Sequence, residues 1–395
     1  MMDYAWAERL SGMEDPAIKN LLKTMQRPDV ISLSAGSPAP DSFPVAELAA
    51  AFNAVLADQG AAALQYGVSE GYLPLRQWVA DRAARQGIRC GSEQVMITNG
   101  SQQALDLIAR ILLDPGDYVA VENPTYLAAL QVFRGYQARL LPIDMDQDGM
   151  RIDQLEAVIQ KQRPKFIYVI PTFQNPTGIS MNLERRRQLA ALADHYQIPL
   201  IEDNPYGELL YEGEALPAIK SFSDSRWLLY AGTASKIIAP GLRLGWLIAH
   251  PDFIDRAATA KQAGDVLSNS LTQRAVYRYV TDNDLEAHVQ SIIERYRQQR
   301  DVMLEAMHQY FPAGVKWQTP HGGMFLWVTL PEGTDASDLL PLAVEQAKVS
   351  YVPGPPFYAE RGGANTLRLN FSNPAPDLIR EGIKRLGDLL RLHIN

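Results

Sequence analysis

The chain has 395 residues, which is long enough for two domains of typical size. Hydrophobic residues make up 47% of it and charged residues 21%, proportions typical of a globular protein with a sizeable core. Its formal net charge of −8 argues against a nucleic-acid-binding surface as its main function, because phosphate binding requires clustered basic residues.

Cysteine, histidine and the N-terminal residues narrow the class of protein further. Cys90 is the only cysteine, which excludes an intrachain disulfide and a thiolate metal site. The six histidines lack the spacing of zinc ligands, so we expect no metal. The first residues resemble no signal peptide, and no apolar run is long enough to span a bilayer. We therefore expect a cytoplasmic enzyme that binds neither nucleic acid nor membrane.

The first part of the chain predicts short elements separated by loops rich in proline and small residues. Pro16–Lys23 is typical of a short amphipathic helix opened by proline, and Ile31–Leu33 of a short strand. The loop Ser34–Pro40 follows. Helical periodicity then covers Val45 to Leu56 and Leu73 to Arg85.

From Val95 to about His250, short β-rich runs alternate with segments of helical length. The predicted strands are Val95–Thr98, Tyr118–Val121, Phe166–Ile170, Pro199–Ile201, Leu228–Ala231 and Leu244–Ala249. Helices are predicted up to Leu112, from Tyr126 and over Leu183–Tyr196. This alternation indicates an α/β fold with a mostly parallel, doubly wound sheet. Its strands are continuous apolar runs because helices cover both faces.

The pattern changes near residue 290. A long helix is predicted from Leu285 to about Phe311, and the last helix over Leu378–Leu392. Between them lie the predicted strands Val315–Gln318, Met324–Leu330 and Leu367–Phe371. This part of the chain indicates an α+β module separate from the central sheet.

The ends of the predicted strands carry polar residues, and in open α/β sheets ligands bind beyond the carboxyl ends of the strands. After the first of these strands come Asn99-Gly100-Ser101-Gln102 and then a helix. A Gly-Ser turn into a helix N-terminus presents free N–H groups and a hydroxyl, which favours an anion site. The alternative is that Ser101 only caps the helix.

Three further strand ends present a ring, an amide and a carboxylate. Tyr126 could stack on a planar ligand, although a core tyrosine would also suit the pattern. Asn175 stands in a loop stiffened by two prolines and could bind a ligand oxygen. Glu202 and Asp203 end an apolar strand, where a carboxylate needs a cationic partner. A pyridinium nitrogen would serve, and so would a neighbouring arginine or lysine.

The stretch Ala231–Trp246 contains one lysine, Lys236, after a strand that ends in small and hydroxyl-bearing residues. A lysine in a partly desolvated site can lose its proton and form a Schiff base with a carbonyl. Arg243 and the nearby hydroxyls could hold a phosphate. The alternative is an exposed lysine after an edge strand. Together, the strand ends meet the requirements of pyridoxal phosphate.

The motifs at these positions occur in the order G-S-Q-Q-A-L-D, N-P-T-Y, Q-N-P-T-G, I-E-D-N-P-Y, T-A-S-K, P-G-L-R-L-G and T-L-R-L-N-F. With them the sequence resembles the fold-type I pyridoxal-phosphate enzymes of the class I/II aminotransferase family. It is most similar to the bacterial 2-aminoadipate and multisubstrate aminotransferase branch. The resemblance implies a large domain over residues 46–290, with a mostly parallel sheet, that binds the cofactor. A smaller α+β domain would comprise residues 1–45 and 291–395.

The resemblance also implies a role for each matching residue. Lys236 would bind pyridoxal 5'-phosphate as a Schiff base and move the proton, and Asp203 would pair with the ring nitrogen. Substrate would be bound by Gly36, Asn175 and Arg368, the last through the α-carboxylate. The remaining cofactor-binding residues would be Ser101, Gln102, Tyr126, Asn175, Tyr206, Thr233, Ser235 and Arg243, with Tyr66 reaching the phosphate of a neighbouring subunit. This last contact implies a homodimer with shared active sites.

The implied reaction is transfer of an amino group between an L-amino acid and a 2-oxo acid, with 2-oxoglutarate and glutamate as one pair, by ping-pong chemistry. The amino acid would be aromatic, large aliphatic or similar to 2-aminoadipate. Lys19 stands where 2-aminoadipate enzymes have an arginine, which puts dicarboxylic substrates in doubt. A lyase, decarboxylase or synthase with the same cofactor is the alternative. A ligand-sensing regulator is a further alternative, but the thirty residues before Ile31 are too few for its DNA-binding module.

Overall fold

The computed structural model describes residues 4–10, 12–13 and 27–394. Its strands, in chain order, are β1 (Ile31–Ser32), β2 (Val95–Thr98), β3 (Tyr118–Asn123), β4 (Arg139–Asp146), β5 (Gly149–Met150), β6 (Phe166–Val169), β7 (Leu200–Asp203), β8 (Leu228–Thr233), β9 (Gly245–Ile248), β10 (Lys316–Trp317), β11 (Phe325–Thr329), β12 (Val349–Ser350), β13 (Val352–Pro353) and β14 (Thr366–Asn370). The predicted helix Pro16–Lys23, and with it Lys19, lies outside the described residues.

The α-helices and shorter helical turns separate these strands. The α-helices are α1 (Val45–Ala63), α2 (Leu73–Ala83), α3 (Ser101–Leu112), α4 (Leu127–Gly135), α5 (Ile152–Lys161), α6 (Leu183–Tyr196), α7 (Pro251–Gln262), α8 (Ser270–Asp282), α9 (Leu285–Tyr310), α10 (Ala336–Leu342) and α11 (Pro376–His393). Short 3-10 turns cover Glu8–Leu10, Pro40–Ser42, Ala84–Gln86, Ser92–Gln94, Ile219–Phe222, Pro240–Leu242 and Pro355–Phe357, and a π-helical turn covers Ala343–Ala347.

The central sheet has the strand order β2-β9-β8-β7-β6-β3-β4-β5. Strands β4, β3, β6, β7 and β8 are parallel, whereas β9 runs antiparallel to both of its neighbours. Every residue of β2, β6 and β7 is buried, which is why β2 and β6 are almost entirely apolar in the sequence, whereas β7 ends in the buried carboxyl groups of Glu202 and Asp203. The predicted mostly parallel α/β sheet is therefore confirmed.

Helices pack on both faces of this sheet. On one face, Val121 and Tyr168 pack in a cluster with Leu105 of α3, Leu130 of α4 and Ile254 of α7. On the other face, a second cluster joins β3, β6, α5 and α6 through Ala120, Ile167, Val169, Leu155 and Leu189. Successive strand residues point to opposite faces, so both helical layers are needed to bury the strands.

The C-terminal part contains the smaller α+β module. Its antiparallel sheet has the order β10-β11-β14-β13, and α9 and α11 pack against it. Strand β1 pairs in parallel with β12, which joins the N-terminal residues to this module. The module brings Arg368 of β14 to the edge of the central sheet. The domain boundaries at residues 45/46 and 290/291 stay a prediction.

The structure also contains elements that the sequence pattern did not predict, among them β4, α5, α7 and α8. Strand β4 is half exposed and contains Pro142, so it lacks the continuous apolar run of its neighbours. Helix α1 continues beyond the predicted end at Leu56 to Ala63. The sequence did not predict this extension because residues 57–63 are small or polar and have no apolar periodicity. In the described part of the chain, no helix combines the length and hydropathy required to cross a membrane.

Candidate active site

The carboxyl ends of the parallel strands meet at one edge of the sheet, where they surround a cavity of about 140 Å³. Its lining contains every predicted cofactor-binding residue except Tyr66. The lining residues are Gly100, Ser101, Gln102, Tyr126, Ile170, Asn175, Asp203, Pro205, Tyr206, Thr233, Ser235, Lys236, Pro240 and Arg243. The parallel topology causes this convergence, because strands with a common direction present their following loops at the same edge.

Lys236 follows β8 and is half-buried at the cavity wall. Its Nζ donates a hydrogen bond to the carbonyl oxygen of Gly36 at 2.8 Å, so the predicted substrate-contacting glycine lies beside it. Burial, together with the positive charges of Arg368 and Arg243, lowers the pKa of Lys236 to about 8. With that pKa, roughly a tenth of the amines are neutral at pH 7, far more than for an exposed lysine. The arrangement suits a nucleophilic amine and excludes the exposed alternative.

Asp203 is the last residue of β7, and its side chain is 1% exposed. The hydroxyl of Tyr168, on the neighbouring strand β6, donates a hydrogen bond to Asp203 Oδ2 at 2.8 Å. Asp203 Oδ1 faces no hydrogen-bond partner among the described residues. Burial raises the pKa of Asp203 to about 7 even though the bond from Tyr168 acts in the opposite direction. A buried carboxylate with a free oxygen fits a protonated ring nitrogen, which would supply the missing donor and positive charge.

The turn before α3 forms a cradle for an anion. Gly100 has φ = +75° and caps α3 without any side-chain hydrogen bond, so Ser101 does not act as a simple N-cap. A Cβ at Gly100 would lie 2.7 Å from Arg243 Nη2, which explains the glycine. Arg243 Nη2 donates to Asn99 O at 3.0 Å, and this bond holds the guanidinium against the turn.

The opposite side of the cradle consists of hydroxyl groups that follow β8. Thr233 Oγ1 lies 2.9 Å from Ser235 Oγ and accepts a hydrogen bond from the Ser235 N–H at 3.1 Å. Together with Ser101, Gln102 and Arg243, these groups line one cavity. A helix N-terminus, an arginine and several hydroxyls form a set of donors that fits a phosphate.

Arg368 is 6% exposed, and its donors reach neutral acceptors. Nη1 donates to Asn175 Oδ1 at 2.8 Å and Nη2 to Ser34 O at 2.9 Å, whereas Nε has no partner in the described part of the chain. Burial lowers the pKa of Arg368 to about 10. A buried guanidinium without a carboxylate in contact is costly, so the site favours an anionic ligand. Asn175 Nδ2 is 3.5 Å from the hydroxyl of Tyr206, and both groups face the cavity.

Aromatic rings surround Arg368. The guanidinium carbon lies 4.2 Å from the centre of the Phe325 ring and 5.1 Å from that of Phe357. Phe325 also contacts Tyr206 edge-on, with ring centres 5.6 Å apart. Nothing in the sequence distinguishes Phe325, Phe357 and Tyr168 from ordinary core residues, because each stands in or near an apolar run. The hydroxyl of Tyr168 in an otherwise apolar strand was the one available signal.

Tyr66 lies apart from this cavity and is 81% exposed. Its neighbours Leu64 and Val68 are 72% and 60% exposed, so the segment presents an apolar surface to solvent. Its predicted contact with the phosphate of a second subunit stays a prediction. The role suggested for Lys19 concerns a residue outside the described ranges.

Comparison with known proteins identifies the family. The model of the family Aminotransferase class I and II matches residues 28–386. The chain is 45% identical over 398 residues to Aromatic-amino-acid aminotransferase 1 of Thermococcus litoralis, covering 99% of this chain and 95% of the relative. The structure of Pyrococcus horikoshii kynurenine aminotransferase, in complex with PMP, has a TM-score of 0.94 at 42% identity, covering 99% and 98% of the two chains. The α-aminoadipate aminotransferase of Thermus thermophilus, complexed with N-(5'-phosphopyridoxyl)-L-leucine, has a TM-score of 0.92 at 36% identity, covering 98% and 97%.

Proposed function

This chain belongs to the class I and II aminotransferases and is an enzyme that depends on pyridoxal 5'-phosphate, and from this premise we propose its reaction. It transfers the amino group of an aromatic or large apolar L-amino acid to 2-oxoglutarate. The reaction follows a ping-pong sequence, in which the first oxo acid leaves before the second one binds. The products are the oxo acid of the donor and glutamate.

The surroundings of Arg368 carry this proposal. Its guanidinium can bind an α-carboxylate, and it is buried against the rings of Phe325 and Phe357. An apolar substrate side chain would suit these surroundings better than a charged one. The similarity to an aromatic-amino-acid aminotransferase and to a kynurenine aminotransferase supports the same class of donor.

The residues of the cavity would hold the cofactor by its three chemically distinct parts. Ser101, the Gln102 backbone, Thr233, Ser235 and Arg243 would bind the phosphate. Asp203 would pair with the ring nitrogen, and Tyr126 would stack on the ring. Asn175 and Tyr206 would donate hydrogen bonds to the ring oxygen. When bound, pyridoxal 5'-phosphate supplies an electron sink for the charge that develops at the substrate α-carbon.

Substrate binding and proton movement fall to four residues. Arg368 and Asn175 bind the α-carboxylate, and the backbone of Gly36 contacts the substrate beside it. Nζ of Lys236 would hold the cofactor. It would also take the proton from the substrate α-carbon, because its lowered pKa leaves part of the amines neutral near pH 7.

We also propose the assembly and the domain division. The exposed apolar segment around Tyr66 supports a homodimer in which this tyrosine reaches the phosphate of the neighbouring active site. The pairing of β1 with β12 supports a small domain of residues 1–45 and 291–395 beside a large domain of residues 46–290. The protein acts in the cytoplasm. Light scattering gives the molar mass in solution and tests the dimer. We expect twice the mass of one chain for the purified enzyme and a lower mass for a Tyr66→Asp variant.

The reaction is tested by incubating the purified holoenzyme with 2-oxoglutarate and one amino acid at a time. Phenylalanine, tyrosine, tryptophan, kynurenine, leucine, 2-aminoadipate and aspartate form the panel, and glutamate is the measured product. We expect the aromatic donors to give the highest kcat/KM. Double-reciprocal plots at several 2-oxoglutarate concentrations should be parallel, as ping-pong kinetics requires.

Two outcomes would contradict the proposal. Release of ammonia or carbon dioxide without glutamate would indicate a lyase, decarboxylase or synthase with the same cofactor. Aspartate or 2-aminoadipate as the preferred donor would show that a cationic group, and not the aromatic surroundings of Arg368, selects the side chain.

A further inference from the structure

Glu122 is a second buried carboxylate close to the cavity. It lies on β3, is fully buried, and its Oε1 has no hydrogen-bond partner among the residues described. Oε2 accepts hydrogen bonds from the Ile170 N–H at 3.1 Å and from Gln174 Nε2 at 3.2 Å. Both donors are neutral groups. A buried glutamate held only by neutral donors is costly, so its presence calls for an explanation.

Gln174 connects Glu122 to the loop that carries Asn175. Gln174 Nε2 also donates to Pro124 O at 2.8 Å. On its other side, Gln174 Oε1 accepts from the N–H and the hydroxyl of Thr177, at 2.9 and 2.8 Å. The side chain of Gln174 therefore ties the loop on both sides of Asn175 to β3 and to the residues that follow it.

We propose that Glu122 is a positioning residue, which acts through Gln174 to fix the orientation of the Asn175 amide in the active site. Asn175 directs Oδ1 to Arg368 and Nδ2 towards Tyr206, so its orientation affects both the substrate carboxylate site and the cofactor site. A rotation of the loop would weaken both contacts at once. The inference rests on the role proposed above for Asn175.

Glu122 acts as a neutral acceptor in this arrangement. Burial, with a smaller contribution from the nearby Asp203, raises the pKa of Glu122 to about 8, so the carboxyl is mostly protonated at pH 7. Asp203, whose pKa is the lower of the two, is then the carboxyl group that ionises first and faces the ring nitrogen. An amide has the same shape and also offers an oxygen to both donors, so glutamine should replace Glu122.

The chain provides a matched control in Glu202 of β7. It is equally buried, and its Oε1 likewise lacks a partner within the described residues. Its Oε2 accepts from the N–H of Lys220 at 3.0 Å, away from the Asn175 loop. Replacing Glu202 therefore also removes a buried carboxyl group without releasing Gln174, although Glu202 differs from Glu122 in lying near the cations Arg186 and Lys220.

The test compares the holoenzymes Glu122→Met, Glu122→Gln, Glu202→Met and Asn175→Ala. The measured quantity is the pH midpoint of the visible absorbance of the bound cofactor, with KM for the amino acid as a second readout. Asn175 would donate a hydrogen bond to the ring oxygen of the cofactor. This bond stabilises the form in which the Schiff-base nitrogen has lost its proton, so its loss raises the midpoint. We expect E122M and N175A to raise it by about half a unit to one unit and to increase KM more than they lower kcat. E122Q and E202M should leave it at the wild-type value.

Each result decides the question. The inference is wrong if E122M folds, binds cofactor and keeps the wild-type midpoint while N175A shifts it. An equal shift in E202M would also overturn the inference, because the cause would then be a general loss of packing. An equal shift in E122Q would overturn it too, because the cause would then be the charge of Glu122. If N175A itself causes no shift, the proposed role of Asn175 fails and the inference with it. Should E122M not fold, Gln174→Met breaks the link between Glu122 and the loop, and its midpoint must then rise as in N175A.

Discussion

Asp203→Asn should stabilise the cofactor-free protein while it disables the holoenzyme. Burial raises the pKa of Asp203 from 3.8 to about 7, so the folded protein binds more protons than the unfolded chain between these pH values. Its stability therefore falls as the pH rises through this range. The shift of about 3 units corresponds to about 4 kcal/mol at pH 8 and to about 2 kcal/mol at pH 5. Asparagine is neutral at every pH and can still accept the bond from Tyr168.

The assay is thermal unfolding of the cofactor-free proteins at pH 5 and pH 8. For a chain of this length, 4 kcal/mol corresponds to a rise in Tm of about 5 °C, and 2 kcal/mol to about half of that. The exposed Asp255→Asn in the middle of α7 serves as the control and should leave both Tm values unchanged. With cofactor bound, we expect the wild type to have the higher Tm, because in D203N the ring nitrogen loses its anionic partner. For the same reason kcat of D203N should fall by a factor on the order of 100 to 1,000.

A Tm advantage of D203N that is absent at pH 8, or equal at both pH values, would refute this reasoning. The first result would mean that the carboxylate already has a partner in the cofactor-free protein. The second would mean that the change in stability does not come from ionisation of Asp203.

Three further predictions concern the same cavity. Lys236→Ala should abolish activity and the imine absorbance of the resting enzyme; an unchanged spectrum would show that the Schiff base lies elsewhere. Arg368→Lys loses the two-pronged contact with the carboxylate, so KM for phenylalanine should rise about tenfold or more, with a smaller change in kcat. Tyr168→Phe removes the hydrogen bond that lowers the pKa of Asp203, so titration of the cofactor-free protein should show about tenfold weaker cofactor binding. An unaltered affinity in Y168F would mean that this hydroxyl does not help to keep Asp203 ionised.

Much of the fold could be predicted because local patterns report burial directly. Helix α6 occurs at its predicted bounds, Leu183–Tyr196, with Asn182 as its N-cap. Strands β2 and β6 are continuous apolar runs because both of their faces are covered. Strand β4 escaped prediction because it is half exposed, and its alternation is interrupted by proline.

Strand direction alone allowed part of the candidate site to be predicted. Residues that follow parallel strands must converge, so Asp203 and Lys236 could be expected in one pocket before any contact was known. The sequence did not indicate that Tyr168 binds Asp203, or that Glu122 holds Gln174. Both contacts depend on strand order and on the face of the sheet to which each side chain points.

The residue types, their order and the periodicity of their apolar neighbours thus establish the sheet, its direction and the chemical groups at its edge, because these depend on local hydrogen bonding and burial. The contacts among those groups depend on the path of the whole chain. Arg368 and Asn175 are separated by 193 residues, and only the packing of the small module against the sheet brings their side chains together. The same packing leaves Asp203 Oδ1 and Arg368 Nε without hydrogen-bond partners among the described residues, and the sequence indicates neither. Burial of these charges is a property of three-dimensional packing, and it gives the site its affinity for ligands of opposite charge.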